Sequence, residues 1–401
     1  MHFGQRGNKI RTEYNCTGED NVKLIHLSDL HIGIKVNEFS MIEDQKVILT
    51  KILNITDEEK PDGVIIAGDI YDKAVPSAEA VELFDDFICR LARRGVQIFI
   101  ISGNHDSAER LAFCSRLIDA SGVHFSPVYN GCVEPFEMKD GYGTVKIYML
   151  PFLKPANVRR FYPEETIENY TDALRTAISG MNVETEQRNV LVTHQFVTGA
   201  ARSDSEDISV GGTDNVDAEV FHAFDYVALG HIHGPQNIEE GKIRYCGTPL
   251  KYSFSEKNHK KSVTVVELKE KGVVETRTVP LEARHDMKEL KGTYDELTLK
   301  SFYAGKEFQE DYLHITLTDE DDVPEAMAKL RVIYPNLMKL DYDNRRTRHI
   351  AQLNADADVK EKHPLDLFSE FYTEQNGIEL TDEQRDYISK KIAQIWEGEE
   401  E

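Results

Sequence analysis

Val22-Lys23-Leu24-Ile25-His26-Leu27-Ser28-Asp29-Leu30-His31 is a strand-length apolar run that ends on an aspartate and a histidine, and the same design returns twice downstream. Gly63-Val64-Ile65-Ile66-Ala67 runs into Gly68-Asp69, and Val96-Gln97-Ile98-Phe99-Ile100-Ile101 runs into Ser102-Gly103-Asn104-His105-Asp106. Between these runs Phe39, Ile42, Ile48, Leu49, Ile52 and Leu53 recur at helical spacing over residues 39–55, as do Ala80, Val81, Phe84, Phe87, Ile88 and Leu91 over 77–94. This β-α-β-α-β rhythm predicts an α/β fold with a mostly parallel sheet covered by helices. Helices are also expected near 107–120 and 165–180, and strands near 145–150, 189–193, 225–229, 243–246, 262–268 and 273–279. The last strands follow one another without helices, which predicts an antiparallel portion after residue 240.

Side chains at the carboxyl ends of parallel strands converge on one crevice. Thr193-His194 and Gly230-His231-Ile232-His233 also stand after strands, so five segments bring Asp29, His31, Asp69, Asn104, His105, Asp106, His194, His231 and His233 together. Each piece alone has an ordinary explanation; Asn104-His105-Asp106, for instance, could cap a helix. Together, carboxylates, imidazoles and an amide oxygen suit divalent first-row metals, and the lack of thiolates argues against structural zinc. So many ligands suit two ions sharing a bridging carboxylate, an arrangement that clamps both oxygens of an in-line phosphoryl displacement. The expected reaction is hydrolysis of a phosphate ester.

In this order the motifs resemble the calcineurin-like metallophosphoesterases over roughly residues 22–250. The resemblance implies a sandwich of two sheets flanked by helices. It further implies that Asp29, His31, Asp69 and His233 hold one metal, and that Asp69, Asn104, His194 and His231 hold the other, with Asp69 bridging. His105, positioned by Asp106, would stabilise the scissile phosphate and protonate the leaving oxygen, while a metal-bound hydroxide attacks. Purple acid phosphatases carry a Tyr ligand three residues after the Gly-Asp aspartate; here Asp72 stands there and Tyr71 comes one residue early, so Tyr71 is read as packing. A site of this kind also admits small phosphomonoesters or cyclic nucleotides, so the rest of the chain decides the substrate.

Ser203-Asp204-Ser205-Glu206, Val210-Gly211-Gly212, Phe224 to His233, Tyr245-Cys246-Gly247-Thr248-Pro249 and Tyr252-Ser253-Phe254-Ser255-Glu256 closely resemble the SbcD family, the nuclease subunits of bacterial SbcCD complexes. The likeness implies a dinuclear-metal DNA nuclease of an ATP-dependent repair complex, a double-strand exonuclease and single-strand or hairpin endonuclease. Two divalent ions are implied, Mn2+ foremost and Mg2+ admitted. Asp72 stands where archaeal and eukaryotic relatives carry His and bacterial members carry Asp. No G-x-x-x-x-G-K-[ST] occurs, so nucleotide binding would fall to a partner, an SbcC-type ATPase.

The resemblance divides the chain into a disordered extension (1–21), a nuclease domain (22–280), a small α+β DNA-capping domain (281–342), a linker (343–362) and a helical SbcC-binding element (363–401). Helices at Pro364 to Gln375 and Thr381 to Trp396 are expected there, the second opened by a Thr381–Gln384 capping box. The likeness starts at Val22, so translation is expected to begin there, and native peptides from residues 12–21 would overturn that. Helices 77–94 and 107–120, with Leu111, Phe113 and Leu117, are candidate homodimer surfaces within a heterotetramer.

The 401 residues carry 47 Lys and Arg against 71 Asp and Glu, a net charge of −24. Holding DNA by bulk charge is therefore excluded. Lys257, Lys260, Lys261, Arg345 and Arg346 are the candidate DNA contacts. No apolar run approaches the roughly 20 residues of a membrane span, and the N-terminus carries no signal-peptide stretch, so a cytoplasmic, nucleoid-associated protein is expected. The five scattered cysteines lack any C-x-x-C and read as buried free thiols.

Overall fold

The computed structural model describes residues 14–15, 21–113, 115–206, 214–345, 347, 364–376 and 379–397. Two sheets face each other. One orders Val274–Pro280, Ser262–Leu268, Val22–Leu27, Gly63–Ala67, Gln97–Ile101 and Val123–Phe125; the other orders Tyr14–Asn15, Phe136–Asp140, Gly143–Met149, Arg188–His194, Tyr226–Gly230, Ile243–Tyr245 and Gln236–Ile238. The strands that end in site residues pair in parallel within each sheet. The expected antiparallel portion is present, since Ser262–Leu268 pairs antiparallel with both Val22–Leu27 and Val274–Pro280.

The twofold period of a strand explains the layers, because alternate residues leave opposite faces. Leu24, Ile65, Ala67, Phe99 and Ile101 point between the sheets and meet Val190, Val192, Tyr226 and Ala228 of the facing sheet. Their neighbours Ile25, Leu27, Val64, Ile66, Ile98 and Ile100 point outward under helices α1 (Ile42–Glu59) and α2 (Ala78–Ala92). Leu191, Val227 and Leu229 are covered on the other side by the helix Tyr170–Ser179. Buried on both faces, these strands read as continuous apolar runs rather than alternating ones.

The helix expected over 107–120 is broken into Ala108–Leu111, Ser115–Ile118 and a 3-10 turn at Asp119–Ser121. Its apolar residues do not form one buried stripe: Leu111 and Ile118 are partly buried, whereas Phe113 and Leu117 are 77% and 78% exposed. The extension expected to be disordered contains a short strand, Tyr14–Asn15, which adds in parallel to Met138–Lys139 at a sheet edge. The expectation of buried thiols holds for Cys246 but not for Cys89 and Cys132, which are exposed; Cys16 and Cys114 lie outside the described residues.

After residue 281 a parallel three-stranded sheet, Met287–Gly292, Tyr312–Leu317 and Leu337–Tyr342, packs with the helix Ala326–Arg331 around its own core of Leu297, Leu313, Ile315, Leu317, Leu330 and Leu337. The first of these strands carries a weak sequence signal, because in Met287-Lys288-Glu289-Leu290-Lys291 only Met287 is buried and three of the five residues are charged. Two further helices, Pro364–Asn376 and Asp382–Glu397, pack on each other. The Thr381 capping box is made: Thr381 N–H donates to Gln384 Oε1 at 3.0 Å and Gln384 N–H to Thr381 Oγ1 at 3.3 Å. Most of the expected linker lies outside the described residues. Among the described residues no helix is long and apolar enough to cross a membrane.

Candidate metal centre

The seven expected ligands come together at the carboxyl ends of the strands. Asp29, His31 and His233 offer ligand atoms within 4.8 Å of one another, as do Asp29, Asp69 and His194. Asn104 completes the cluster, its Oδ1 lying 3.0 Å from both His194 Nε2 and His231 Nδ1. His105 also falls within 4.8 Å of His31 and Asp69, and it is half-buried where those two are buried.

Local backbone geometry makes the convergence possible. Asp29, His31, Asp69 and His231 all have positive φ, at 52°, 42°, 49° and 99°, so each strand turns sharply where its ligand stands. Such conformations cost about 1–3 kcal/mol each and persist only where surrounding bonds enforce them. Those bonds are visible: Asp29 N–H donates to the Gly68 carbonyl, His31 N–H to the Asp69 carbonyl, and His231 N–H to Asp29 Oδ1 at 2.9 Å. Gly103 is required for another reason, since a Cβ there would overlap the Asp69 carboxylate.

The donors suit a pair of cations. His31 has both ring nitrogens buried without a hydrogen-bond partner, a costly state for an imidazole unless something else binds there. His194 Nδ1–H donates to the Ala67 carbonyl at 2.8 Å, which turns Nε2 toward two oxygens, Asn104 Oδ1 and Asp69 Oδ2, the latter at 3.1 Å. Two oxygens and an imidazole nitrogen that faces them are a set that a cation satisfies once it displaces the proton between them. Burial pushes His31 and His231 well below the usual imidazole range, which keeps them neutral as ligation requires. Burial pushes Asp29 up to about 6. Burial opposes ionisation of Asp69 too, but the facing His194, His31 and His105 hold it well below the usual carboxylate range. His194, although buried, is pushed up to about 9 by Asp69 and Asp29. In the protein alone it holds a proton that a bound cation would replace.

Several polar residues around the ligands were not assigned roles from sequence. His233 Nδ1 faces Ser205 Oγ at 2.8 Å and Glu256 Oε1 at 3.4 Å, and its N–H donates to Glu206. Glu256, fully buried, also accepts from Lys261 and Ser205, so a carboxylate orients the ligand imidazole. Both glutamates lay in motifs quoted for the family resemblance, but no local spacing links Glu256 to His233.

Two expectations need correction. Asp106 does not hold the His105 ring; it accepts the N–H groups of Gly103, Ile70 and Tyr71 at 3.0–3.1 Å and so staples two strand-end loops together. His105 Nδ1–H donates instead to the Asp72 carbonyl at 3.1 Å. Lys261, expected at DNA, is buried: its ammonium pairs with Glu256 and donates to the His233 carbonyl at 2.9 Å, so it braces the site from behind. Lys257 pairs with Glu289, Lys260 is exposed, Arg345 is exposed beside Glu320 at 3.8 Å, and Arg346 lies outside the described residues. Tyr71 packs on Phe84, ring centroids 5.6 Å apart, as read from sequence.

The family model described as Calcineurin-like phosphoesterase matches residues 22–235, which hold every ligand above, so fold and site define a metal-dependent phosphodiester hydrolase. A second model, described as Type 5 capsule protein repressor C-terminal domain and labelled SbcD_C, matches residues 283–376. A Staphylococcus epidermidis relative, the SbcD chain of the SbcCD nuclease, is 30% identical over 382 residues, covering 94% of this chain and 100% of the relative. The chain belongs to the SbcD family of calcineurin-like phosphoesterases. Among solved structures, a dimetal phosphatase from Danio rerio is 12% identical, with a TM-score of 0.37 over 66% of this chain and 100% of its own. A Thermus thermophilus protein, TT1561, is 11% identical with the same TM-score over 64% of this chain and 99% of its own.

Proposed function

We propose that the chain is the nuclease subunit of an SbcCD-type complex, cutting DNA phosphodiesters as a double-strand exonuclease and single-strand or hairpin endonuclease with two divalent ions, Mn2+ foremost. The observation that carries this reading is the inward-facing ligand set with an open imidazole, His105, beside it. When bound, the ions would supply Lewis acidity and a nucleophile competent near neutral pH. Asp29, His31, Asp69 and His233 would hold one, and Asp69, Asn104, His194 and His231 the other. The protein's own part is positioning and proton transfer. His105, with Nδ1–H fixed on the Asp72 carbonyl, would turn its other nitrogen to the phosphate and protonate the leaving oxygen. Asp106 holds the two loops that carry Asp69 and His105 in register.

DNA would be held mainly by the assembly. Residues 281–342 would cap the duplex, and an SbcC-type ATPase would dock on the C-terminal helices, where Phe368, Phe371 and Tyr387 are exposed. Exposed Val81 on the helix Ala78–Ala92, with exposed Phe113 and Leu117, would supply the homodimer surface. The test is cleavage of hairpin and blunt duplex DNA with Mn2+, with and without the ATPase, comparing wild type with His105→Leu and Asp69→Ala. Asp69→Ala should abolish cleavage, and His105→Leu should slow it by about 10²–10⁴-fold while still binding metal. Cleavage unaffected by either, or activity confined to a chromogenic monoester, would overturn the reading.

A further inference from the structure

Asp44 and Gln45 take no part in the chemistry above, yet both are buried polar side chains on the first turn of α1, 3% and 1% exposed. A buried amide is tolerated where its hydrogen bonds are made. Gln45 Oε1 accepts the Gly33 N–H at 3.0 Å, while Nε2 faces the His31 carbonyl at 2.8 Å, the Tyr252 hydroxyl at 3.0 Å and the Leu30 carbonyl at 3.2 Å. Tyr252 O–H in turn donates to the Leu30 carbonyl at 2.6 Å. One amide and one phenol therefore grip the backbone on both sides of His31, the ligand whose φ is 42° and whose ring nitrogens have no partner in the protein. A residue strained in this way needs a hold from outside its own loop, and Gln45 supplies it.

The neighbouring side chain points elsewhere. Asp44 accepts the Tyr312 hydroxyl at 2.7 Å and His285 Nδ1–H at 2.9 Å, and both donors belong to the chain after residue 281. Phe39, just before α1, stacks edge-on against Tyr312 with centroids 6.2 Å apart and lies under the Arg331 guanidinium. Consecutive residues of one helical turn thus grip the His31 loop on one side and the C-terminal unit on the other.

We propose that the first turn of α1 is a positioning device for His31: Gln45 fixes the backbone of the ligand, and Asp44 seats the C-terminal unit on the same turn. The inference rests on the metal reading of the site. Gln45 is a positioning residue that touches neither ion nor substrate. Through Asp44, a shift of the C-terminal unit loosens the turn that keeps His31 in place, so metal retention depends on how that unit is seated.

Calorimetric titration of the full chain with Mn2+, alongside turnover of bis(p-nitrophenyl) phosphate at varied Mn2+, tests this. Gln45→Met keeps the volume and removes the hydrogen bonds; Mn2+ affinity should fall about 10–100-fold, while turnover recovers to within about threefold of wild type at saturating Mn2+. Tyr312→Phe removes one donor to Asp44 and should weaken Mn2+ in the same direction, by about fivefold. Unchanged affinity in folded Gln45→Met, or lost turnover that Mn2+ does not restore, overturns the role of Gln45; unchanged affinity in Tyr312→Phe overturns that of Asp44. If Gln45→Met does not fold, Tyr252→Phe must weaken Mn2+ binding, and an unchanged value there overturns the proposal. A wild-type chain that binds no Mn2+ would instead mean that the metal reading has failed.

Discussion

Residues 1–280 and 281–401 carry similar net charge, −11 and −13, and dispose of it in opposite ways. The sandwich takes charge inside: Asp29, Asp69, Glu256 and Lys261 are all buried, beside four buried histidines. It also bends four of its seven candidate ligand residues into positive φ. In the C-terminal unit, charged groups stand mostly at the surface, some of them in pairs such as Lys291 with Asp343 and Lys339 with Asp341, and Glu325 is the one non-glycine at positive φ among its described residues. Buried charge is retained only with complete compensation, whereas exposed pairs contribute about 0–1 kcal/mol. The same sequence charge therefore marks a built site in one region and a solvated surface in the other, and substitutions in the two should differ accordingly.

The largest effects belong at Asp69. Asp69→Ala removes the carboxylate that faces His31, His105 and His194, so Mn2+ binding by calorimetry and hydrolysis should both drop below detection. His105→Leu should cost about 10²–10⁴ in turnover with Mn2+ binding retained, which separates proton transfer from ligation. Retained hydrolysis in both would erase the contrast between the regions. Gly103→Ala adds a methyl where the Asp69 carboxylate lies and should destabilise the fold by about 1–3 kcal/mol in urea melts as well as impair activity.

One step down is the bracing layer behind the ligands. Glu256→Gln takes the counter-charge from buried Lys261 and the orienting carboxylate from His233, so about 3 kcal/mol of stability and about 10–100-fold in Mn2+ affinity should be lost. Proton linkage adds an independent readout. With His194 pushed up to about 9, the metal-free chain holds a proton there at pH 7, and loading Mn2+ must expel it. Calorimetry in two buffers of different ionisation enthalpy should show about one proton released per chain from this group at pH 7, and Mn2+ affinity should rise with pH until His194 is neutral. No buffer dependence would mean that His194 is already neutral in the metal-free chain.

Most of the crevice was legible in sequence because each ligand follows an apolar run, and strand ends in a parallel sheet converge whatever the intervening chain does. What was not legible depended on three-dimensional partners. Asp106 and Lys261 lie in sequence beside site motifs, but which way each side chain points is set by distant elements: by the Ile70 and Tyr71 amides for one, and by Glu256 and the His233 carbonyl for the other. Gln45 was invisible for the same reason, being one polar position in an amphipathic helix whose face toward the His31 loop is set only by the fold. The broken helix after Ser107 failed differently: apolar residues at helical spacing do not reveal whether a core exists for them to face.

The smallest effects belong to the exposed cations. Lys260 and Arg345 are exposed, on a chain whose net charge is −24. A phosphate contact at either position would act through counterion release, so Lys260→Ala or Arg345→Ala should weaken duplex binding about equally across sequences and lower the salt slope by about one. Folding should be almost untouched, within about 0.5 kcal/mol, because neither side chain is buried or completes a network. The subunit alone should bind duplex weakly, and more weakly still as salt rises. Nanomolar binding by the isolated chain at physiological salt would break the comparison at its root, since the exposed charge of the C-terminal unit would then contribute to recognition despite its sign.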